Sequence, residues 1–277
     1  VKKSGPRAKK KEEAHRNCML IGRLFKSTAV VLSSLGRLVP HTRMASTTQT
    51  SVGIAITPEE VRLAADSTIA DYAAVAQGYA AGNMDHDVSP NIEAMLNPLK
   101  ETFGVEAHYD VLDVCCASGR DLVALKQLGH RPVGLDGVEA FCEMSRTLSG
   151  CEVLHQSLTS LSLPEARFDA IFANACLFHV PSAALPATLA ALAAALRPNG
   201  VLFVSNAHGF GEDKEGWTQG RTAATRSYVT WLSEETWVRV CGEATGLTLL
   251  QSYFRPPGKP RSAQPFLATV WQKAGGG

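Results

Sequence analysis

Between Tyr109 and Asp136 the chain reads YDVLDVCCASGRDLVALKQLGHRPVGLD, an order of residues that few folds accommodate. Val111 to Val114 form a short, mostly apolar run that ends in small residues, Cys115 to Gly119. Leu122, Leu125 and Leu128 follow at three-residue spacing, the mark of one helical face. A second run, Pro132 to Leu135, stops on Asp136. Strand, tight turn, helix, strand and acid make the first half of a nucleotide-binding α/β unit. Small residues in the turn let backbone N–H groups approach a ligand, and the acid can accept both hydroxyls of a ribose. The stretch therefore predicts an adenosine-containing cofactor.

The remaining pattern extends this unit into a sheet. Strands are expected at 109–114, 131–136, 151–155, 168–174 and 200–205, with helices at 119–129, 138–148, 182–196 and 233–244. The segments RFDAIFANA and GVLFVSNA are apolar nearly throughout, as strands covered on both faces must be. Leu247–Tyr253 and Phe266–Trp271 read as two last strands joined by RPPGKPRSAQP, which leaves no room for a crossover helix. They must pair antiparallel. The predicted fold class is α/β: a Rossmann-like, seven-stranded, mostly parallel sheet with helices on both faces and an antiparallel terminal hairpin.

Upstream, Thr57-Pro58-Glu59-Glu60 has the features of a helix start, and the helix is expected to run through Ala80. Gly82-Asn83 ends it, and Ser89-Pro90 opens another helix bearing Ile92, Met95, Leu96 and Leu99. Residues 58–277 are thus read as the catalytic domain, with 58–100 as cap helices and the glycine-rich, polar stretch 206–232 as a lid insertion. Residues 1–57 are excluded from the fold as a disordered leader or transit peptide. From Ala14 to Pro58 there is no Asp or Glu, while Arg16, Arg23, Lys26, Arg37 and Arg43 recur among Ser, Thr and apolar residues. A transit peptide would send the chain to a mitochondrion or plastid; a leader ahead of Met44 would leave a cytoplasmic protein.

Composition excludes several partners. A formal net charge of +1 gives no bulk attraction to nucleic acid, and no apolar run approaches bilayer-spanning length. The seven cysteines show neither CxxC nor paired metal spacing, so no metal site is expected.

With these residues in view, the chain from about 72 to 272 resembles the class I S-adenosylmethionine-dependent methyltransferases, in the branch of tellurite-resistance and small-molecule methyltransferases. The glycine-rich motif corresponds to Asp113-Val114-Cys115-Cys116-Ala117-Ser118-Gly119, with Cys115 and Ala117 standing where the family has glycine. The ribose acid corresponds to Asp136, and the later motifs to FDAIFANACLFHVP and LRPNGVLFVSN. The resemblance implies S-adenosyl-L-methionine as cofactor, held by Asp113, Cys115, Ala117, Gly119, Asp136, Gly137, Ser157, Leu158 and Asn174. Asp113 would reach the methionine amino group directly or through water, and Gln156-Ser157-Leu158 replaces the acid that often meets the adenine amine.

Transfer from a sulfonium is an in-line displacement, so alignment can supply roughly 7–11 kcal/mol and a base is needed only for a protonated nucleophile. His179 is the leading candidate base or orienter, with Tyr79 and Asp87 closing the pocket. His86, Arg120, Trp217 and Arg221 are candidate substrate contacts, Arg221 as partner of an anionic group. The expected function is methylation of a small molecule by a monomer or weak homodimer, with no nucleic-acid or membrane partner. The alternative, motivated by the replaced glycines, is a non-catalytic binding or assembly protein of the same fold. A nicotinamide-dependent dehydrogenase would need GxGxxG and a parallel continuation.

Overall fold

The computed structural model describes residues 56–276; nearly all of the expected leader or transit peptide lies outside the described residues. Helix α1 (Pro58–Ala73) starts with a reciprocal cap. The Glu60 N–H donates to Thr57 Oγ1 at 3.2 Å, and the Thr57 N–H donates to Glu60 Oε2 at 2.6 Å. The single helix expected through Ala80 is broken after Ala73, and α2 (Ala76–Asn83) begins from Val75. No glycine or proline marks the break. It allows Ala76 and Tyr79 to pack with Val138 and Phe141, so tertiary contact overrides local propensity.

Helix α3 (Ser89–Phe103) begins with Ser89 already helical, and Asp87 caps it: Asp87 Oδ1 accepts the Ser89 N–H at 2.9 Å. Its Ile92, Met95, Leu96 and Leu99 are buried against Val111, Phe172 and Phe203. It is a core helix on the sheet, and only α1, α2 and the loop before α3 act as a cap.

The sheet is built from β1 (Asp110–Val114), β2 (Arg131–Asp136), β3 (Val153–His155), β4 (Phe168–Asn174), β5 (Leu196–Ala207), β8 (Thr248–Arg255) and β9 (Phe266–Gln272). Its order is β3-β2-β1-β4-β5-β9-β8, parallel from β3 through β5 and antiparallel across β5-β9-β8. This is the expected arrangement. Helices α4 (Arg120–Gln127), α5 (Glu139–Ser149), α6 (Leu185–Ala195) and α7 (Glu234–Thr245) complete the layers. Phe172 and Phe203 stack between β4 and β5 at 5.0 Å and are wholly buried. Each such burial contributes about 1.5–3 kcal/mol, so the sheet centre is rigid. The chain runs outward one way from β1 and the other way from β4. That reversal opens a crevice at their carboxyl ends.

The stretch expected as an irregular lid is mostly an ordered ribbon, β6 (Lys214–Gln219) paired antiparallel with β7 (Arg226–Trp231). Ser227, Tyr228, Val229 and Thr230 are all buried, which suits their strand-forming types. The ribbon lies on α1. The Tyr228 N–H donates to Thr68 Oγ1 at 3.0 Å and Ser67 Oγ donates to the Arg226 carbonyl at 2.8 Å.

Candidate active site

A cavity of about 810 Å³ occupies the crevice, within the roughly 300–1,000 Å³ common for small-molecule and cofactor sites. Its floor is the turn after β1. Cys115 and Ala117 have φ of 58° and 47°, the left-handed conformation that glycine takes freely. The two replaced glycines have therefore not changed the turn; their side chains are small enough to be carried in it. Gly119 is also left-handed, at φ 90°. A Cβ there would meet Ser145 Oγ at 2.7 Å and Ser145 Cα at 2.9 Å. It serves the close packing of α4 on α5, and the cavity lining does not include it.

Asp136 ends β2 and lines the cavity while only 5% exposed. Its Oδ2 accepts the Ala117 N–H at 3.0 Å and its Oδ1 the Val138 N–H at 2.9 Å, so the carboxylate ties the two loops together. Burial pushes its pKa up to about 6, against those backbone donors. Gly137 lies beside it, where a Cβ would come within 3.0 Å of Ile69 Cδ1 from the cap. Ser157 and Leu158 line the same end, and the Gln156 side chain turns to the backbone of Ser162. Asp113 is placed differently from expectation. It is buried beneath the turn and does not line the cavity. Its Oδ2 has no hydrogen-bond partner, and burial followed by the Asp121 charge holds its pKa well above the carboxylate range.

The cavity is also walled by aromatic groups. Tyr72 and Tyr79 meet edge to face at 5.2 Å, and Tyr79 lies 5.6 Å from Phe141. His179 Nδ1 sits 2.9 Å from the Tyr228 carbonyl, which can only accept, so the proton is on Nδ1. Nε2 is then an acceptor, and the Tyr72 hydroxyl donates to it at 3.0 Å. Burial lowers the His179 pKa to about 4 and raises that of Tyr72. His179 thus faces the cavity as a neutral imidazole whose basic nitrogen is already engaged. That is the geometry of an orienting group for Tyr72 and a poor one for a general base.

Of the expected substrate contacts, His86 and Arg120 line the cavity and Trp217 and Arg221 do not. Arg120 is committed to Asp121 at 2.6 Å and to the Asn83 carbonyl at 2.7 Å. Trp217 is 43% exposed on the ribbon, against Tyr228 and Arg226. Arg221 pairs with the fully buried Asp71 at 2.7 Å, and its guanidinium lies 3.4 Å from the centre of the Tyr72 ring. Asp71 also accepts the Arg221 backbone N–H and the hydroxyls of Thr225 and Ser227. Arg221 is therefore a latch between ribbon and cap. No residue from 206–232 lines the cavity, so the insertion braces the wall and does not itself close over it. Asp87 reaches the rim, but as the cap of α3 its carboxylate is held below the usual range by the Ser89 N–H.

Three functional positions were not anticipated. Tyr72 carries the His179 bond; its pairing with Tyr79 along a helix gave a signal, but not its role. Asn91, buried on α3, donates to Asn174 Oδ1 at 3.0 Å. Arg255, at the start of the proline-rich connection, places Nη1 3.1 Å from Ser205 Oγ and 3.4 Å from Asn174 Oδ1. Cys115 and Cys176 both line the cavity and are hydrogen-bonded through their thiols, which with burial holds Cys115 well above the ordinary thiol range. Cys116 instead packs below with Leu122, Cys142 and Val153. Among the described residues no group of three or more His, Cys, Asp or Glu is arranged to hold a metal.

Residues 111–200, the span that supplies the turn, Asp136 and Asn174, match the family of methyltransferase domains. Over these residues the chain carries a methyltransferase domain. The Burkholderia thailandensis 1,6-didemethyltoxoflavin-N1-methyltransferase, solved with 1,6-didemethyltoxoflavin and S-adenosylhomocysteine, has a similar fold. It superposes with a TM-score of 0.60 at 20% identity, over 83% of this chain and 98% of that one. A Methanosarcina mazei S-adenosylmethionine-dependent methyltransferase gives 0.54 at 15% identity, over 65% and 98%. No curated protein sequence matches the chain.

The residues present fit the cofactor. The left-handed turn and the buried acceptor Asp136 form a floor suited to a ligand with hydroxyl donors, and the unpartnered Asp113 Oδ2 lies beneath the turn.

Proposed function

We propose that the protein transfers a methyl group from S-adenosylmethionine to a small-molecule nucleophile held at the aromatic end of the cavity. One observation carries this reading. A single cavity joins the ribose-type acid Asp136 to the wall formed by Tyr72 and His179, and it is roofed by the chain's own helices α1 and α2. Asp136, Gly137, Ser157 and Leu158 would hold the adenosine part, Cys115 and Ala117 would line the methionine part, and Asn174 would stand where that part meets the acceptor. Asp113 would brace the turn from below.

S-adenosylmethionine supplies an activated methyl on a cationic sulfur, and what the chain adds is position and exclusion of water. Tyr72, fixed by His179 and by the Arg221 guanidinium over its ring, orients the acceptor. Because His179 is neutral, buried and already bonded, it offers little basicity. The site therefore suits acceptors that arrive with a free lone pair, such as a thiolate or carboxylate, over those needing strong deprotonation. The non-catalytic alternative rested on the missing glycines, and the left-handed conformation kept by Cys115 and Ala117 supports the catalytic reading over it. The 1,6-didemethyltoxoflavin bound by the Burkholderia enzyme supports a small acceptor in general and names none here.

Calorimetry with S-adenosylhomocysteine, followed by mass detection of methyl gain across metabolite fractions, tests the proposal. Binding with a methylated product is expected. Absence of cofactor binding by the folded protein would overturn it.

A further inference from the structure

Every cation on the cavity wall except one is neutralised within the protein. Arg120 is paired with Asp121, and the imidazole of His179 is uncharged. The exception is Arg255, more than half withdrawn from solvent at the end of β8. Its contacts are two neutral oxygens, Ser205 Oγ at 3.1 Å and Asn174 Oδ1 at 3.4 Å. Both involve Nη1, so Nη2 and Nε make no bond to any described residue. No carboxylate pairs with it among the described residues. A guanidinium cannot shed its charge, and burying one without a counter-charge is costly unless a ligand supplies it.

The surroundings make this position specific. Asn174 Oδ1 is held from two sides, by Asn91 Nδ2 at 3.0 Å and by Arg255. The guanidinium can only donate, which turns Asn174 Oδ1 toward it and leaves Asn174 Nδ2 as a further unengaged donor. Asn174 closes β4 and Ser205 lies on β5, across the sheet from Asp136 on β2. The free donors therefore stand at the acceptor end, away from the adenosine end. The acids of the cavity, Asp85, Asp87, Asp121 and Asp136, come from the loop after α2, the start of α4 and the end of β2. None of them belongs to β4, β5 or β8.

We infer that Arg255, with Asn174, is an anion-binding subsite that makes the enzyme select acceptors bearing a carboxylate. This deepens the proposed methyl transfer and rests on it. A planar carboxylate matches the free fork of the guanidinium and can accept two parallel bonds. The carboxylate is either an anchor for a nucleophile elsewhere on the molecule or the accepting oxygen itself. In the second case an O–C bond forms to the methyl carbon, the C–S bond breaks with its electron pair left on sulfur, and no proton moves.

The test uses the full chain saturated with S-adenosylhomocysteine and compares 4-hydroxybenzoate with its uncharged amide, 4-hydroxybenzamide. Thermal shift and calorimetry should show the carboxylate binding at least tenfold more tightly than the amide. Arg255→Gln should abolish that preference while changing S-adenosylhomocysteine affinity by less than twofold, and Arg255→Lys should restore part of it. Equal binding of acid and amide, or a preference that survives Arg255→Gln, would overturn the inference with the methyltransferase reading intact. Loss of S-adenosylhomocysteine affinity in Arg255→Gln would also overturn it, since Arg255 would then be holding the cofactor's own carboxylate. Failure of the wild-type chain to bind S-adenosylhomocysteine overturns the parent reading. With S-adenosylmethionine in place of the product, a base-labile methyl ester would identify the carboxylate as acceptor, and a base-stable product would identify it as anchor.

Discussion

Asp71 is the residue whose removal should reveal how the wall of the active site is held. Its carboxylate is fully buried on α1, where it accepts the Arg221 backbone N–H at 2.6 Å and the Arg221 guanidinium at 2.7 Å, together with two ribbon hydroxyls. Against the penalty of burial, these donors lower its pKa from 3.8 to about 2, equivalent to about 2.5 kcal/mol. Asp71→Asn preserves the volume, removes the charge and turns one oxygen into a donor facing other donors. The expected loss at pH 7 is about 2–4 kcal/mol, or roughly 5–10 °C in Tm for a domain of this size. The sign of the pH dependence is fixed. A depressed carboxylate stabilises fully above its unfolded pKa, near 4, and loses that contribution as pH falls toward 2. Urea unfolding should thus give a constant gap between wild type and variant at pH 5–8 and about half that gap near pH 3. Loss of the latch also frees Arg221 from Tyr72, so KM for the acceptor should rise more than the Kd for S-adenosylhomocysteine. A gap below about 0.5 kcal/mol, or one that does not change with pH, would refute this account of the latch.

Other changes carry definite signs. Asp136→Ala should weaken S-adenosylhomocysteine binding by at least about tenfold, the worth of one charge-assisted bond, as read by calorimetry. In the wild type, hydroxyl donors favour the ionised form of Asp136. Affinity should therefore fall as pH drops through about 6, and the fall should be absent in Asp136→Asn. Gly119→Ala should destabilise by about 2–5 kcal/mol in denaturant unfolding, since left-handed strain adds to contact with Ser145. Ala117→Gly should be neutral or stabilising by up to about 1 kcal/mol, because glycine relieves a φ of 47°. His179, with a pKa near 4, should contribute no inflection between pH 6 and 8 to the rate profile, so His179→Gln should lower kcat without changing the profile's shape there.

The sheet and the cofactor end were legible because their signals are local. Asp136 is readable since a strand, a turn and a helix within one short stretch leave only one place for the acid. The left-handed turn was legible even through Cys115 and Ala117, because the spacing to Gly119 survives substitution. Helix α1 announced itself in four residues, Thr57 to Glu60. The break after Ala73 did not, since what stabilises it is contact with Phe141 and Val138, far along the chain.

The acceptor end was poorly legible for the same reason in reverse. Its floor joins Asn91, Asn174, Ser205 and Arg255, and its wall joins Tyr72, His179 and Tyr228, bonded pairs up to 107 positions apart with no shared pattern. Arg221 shows how such a site misleads a reader of sequence. An arginine in a polar, glycine-rich stretch resembles a free anion receptor, yet its counter-charge is Asp71, from the first helix. Arg255 sits in a proline-rich connection and resembles a solvated linker residue, yet it is the cavity cation left without an acid. Which of the two arginines is paired within the chain is decided by where the acids fold. That is why substrate recognition in this chain has to be tested at Arg255, with Asp71 and Arg221 as the variants that report on scaffold.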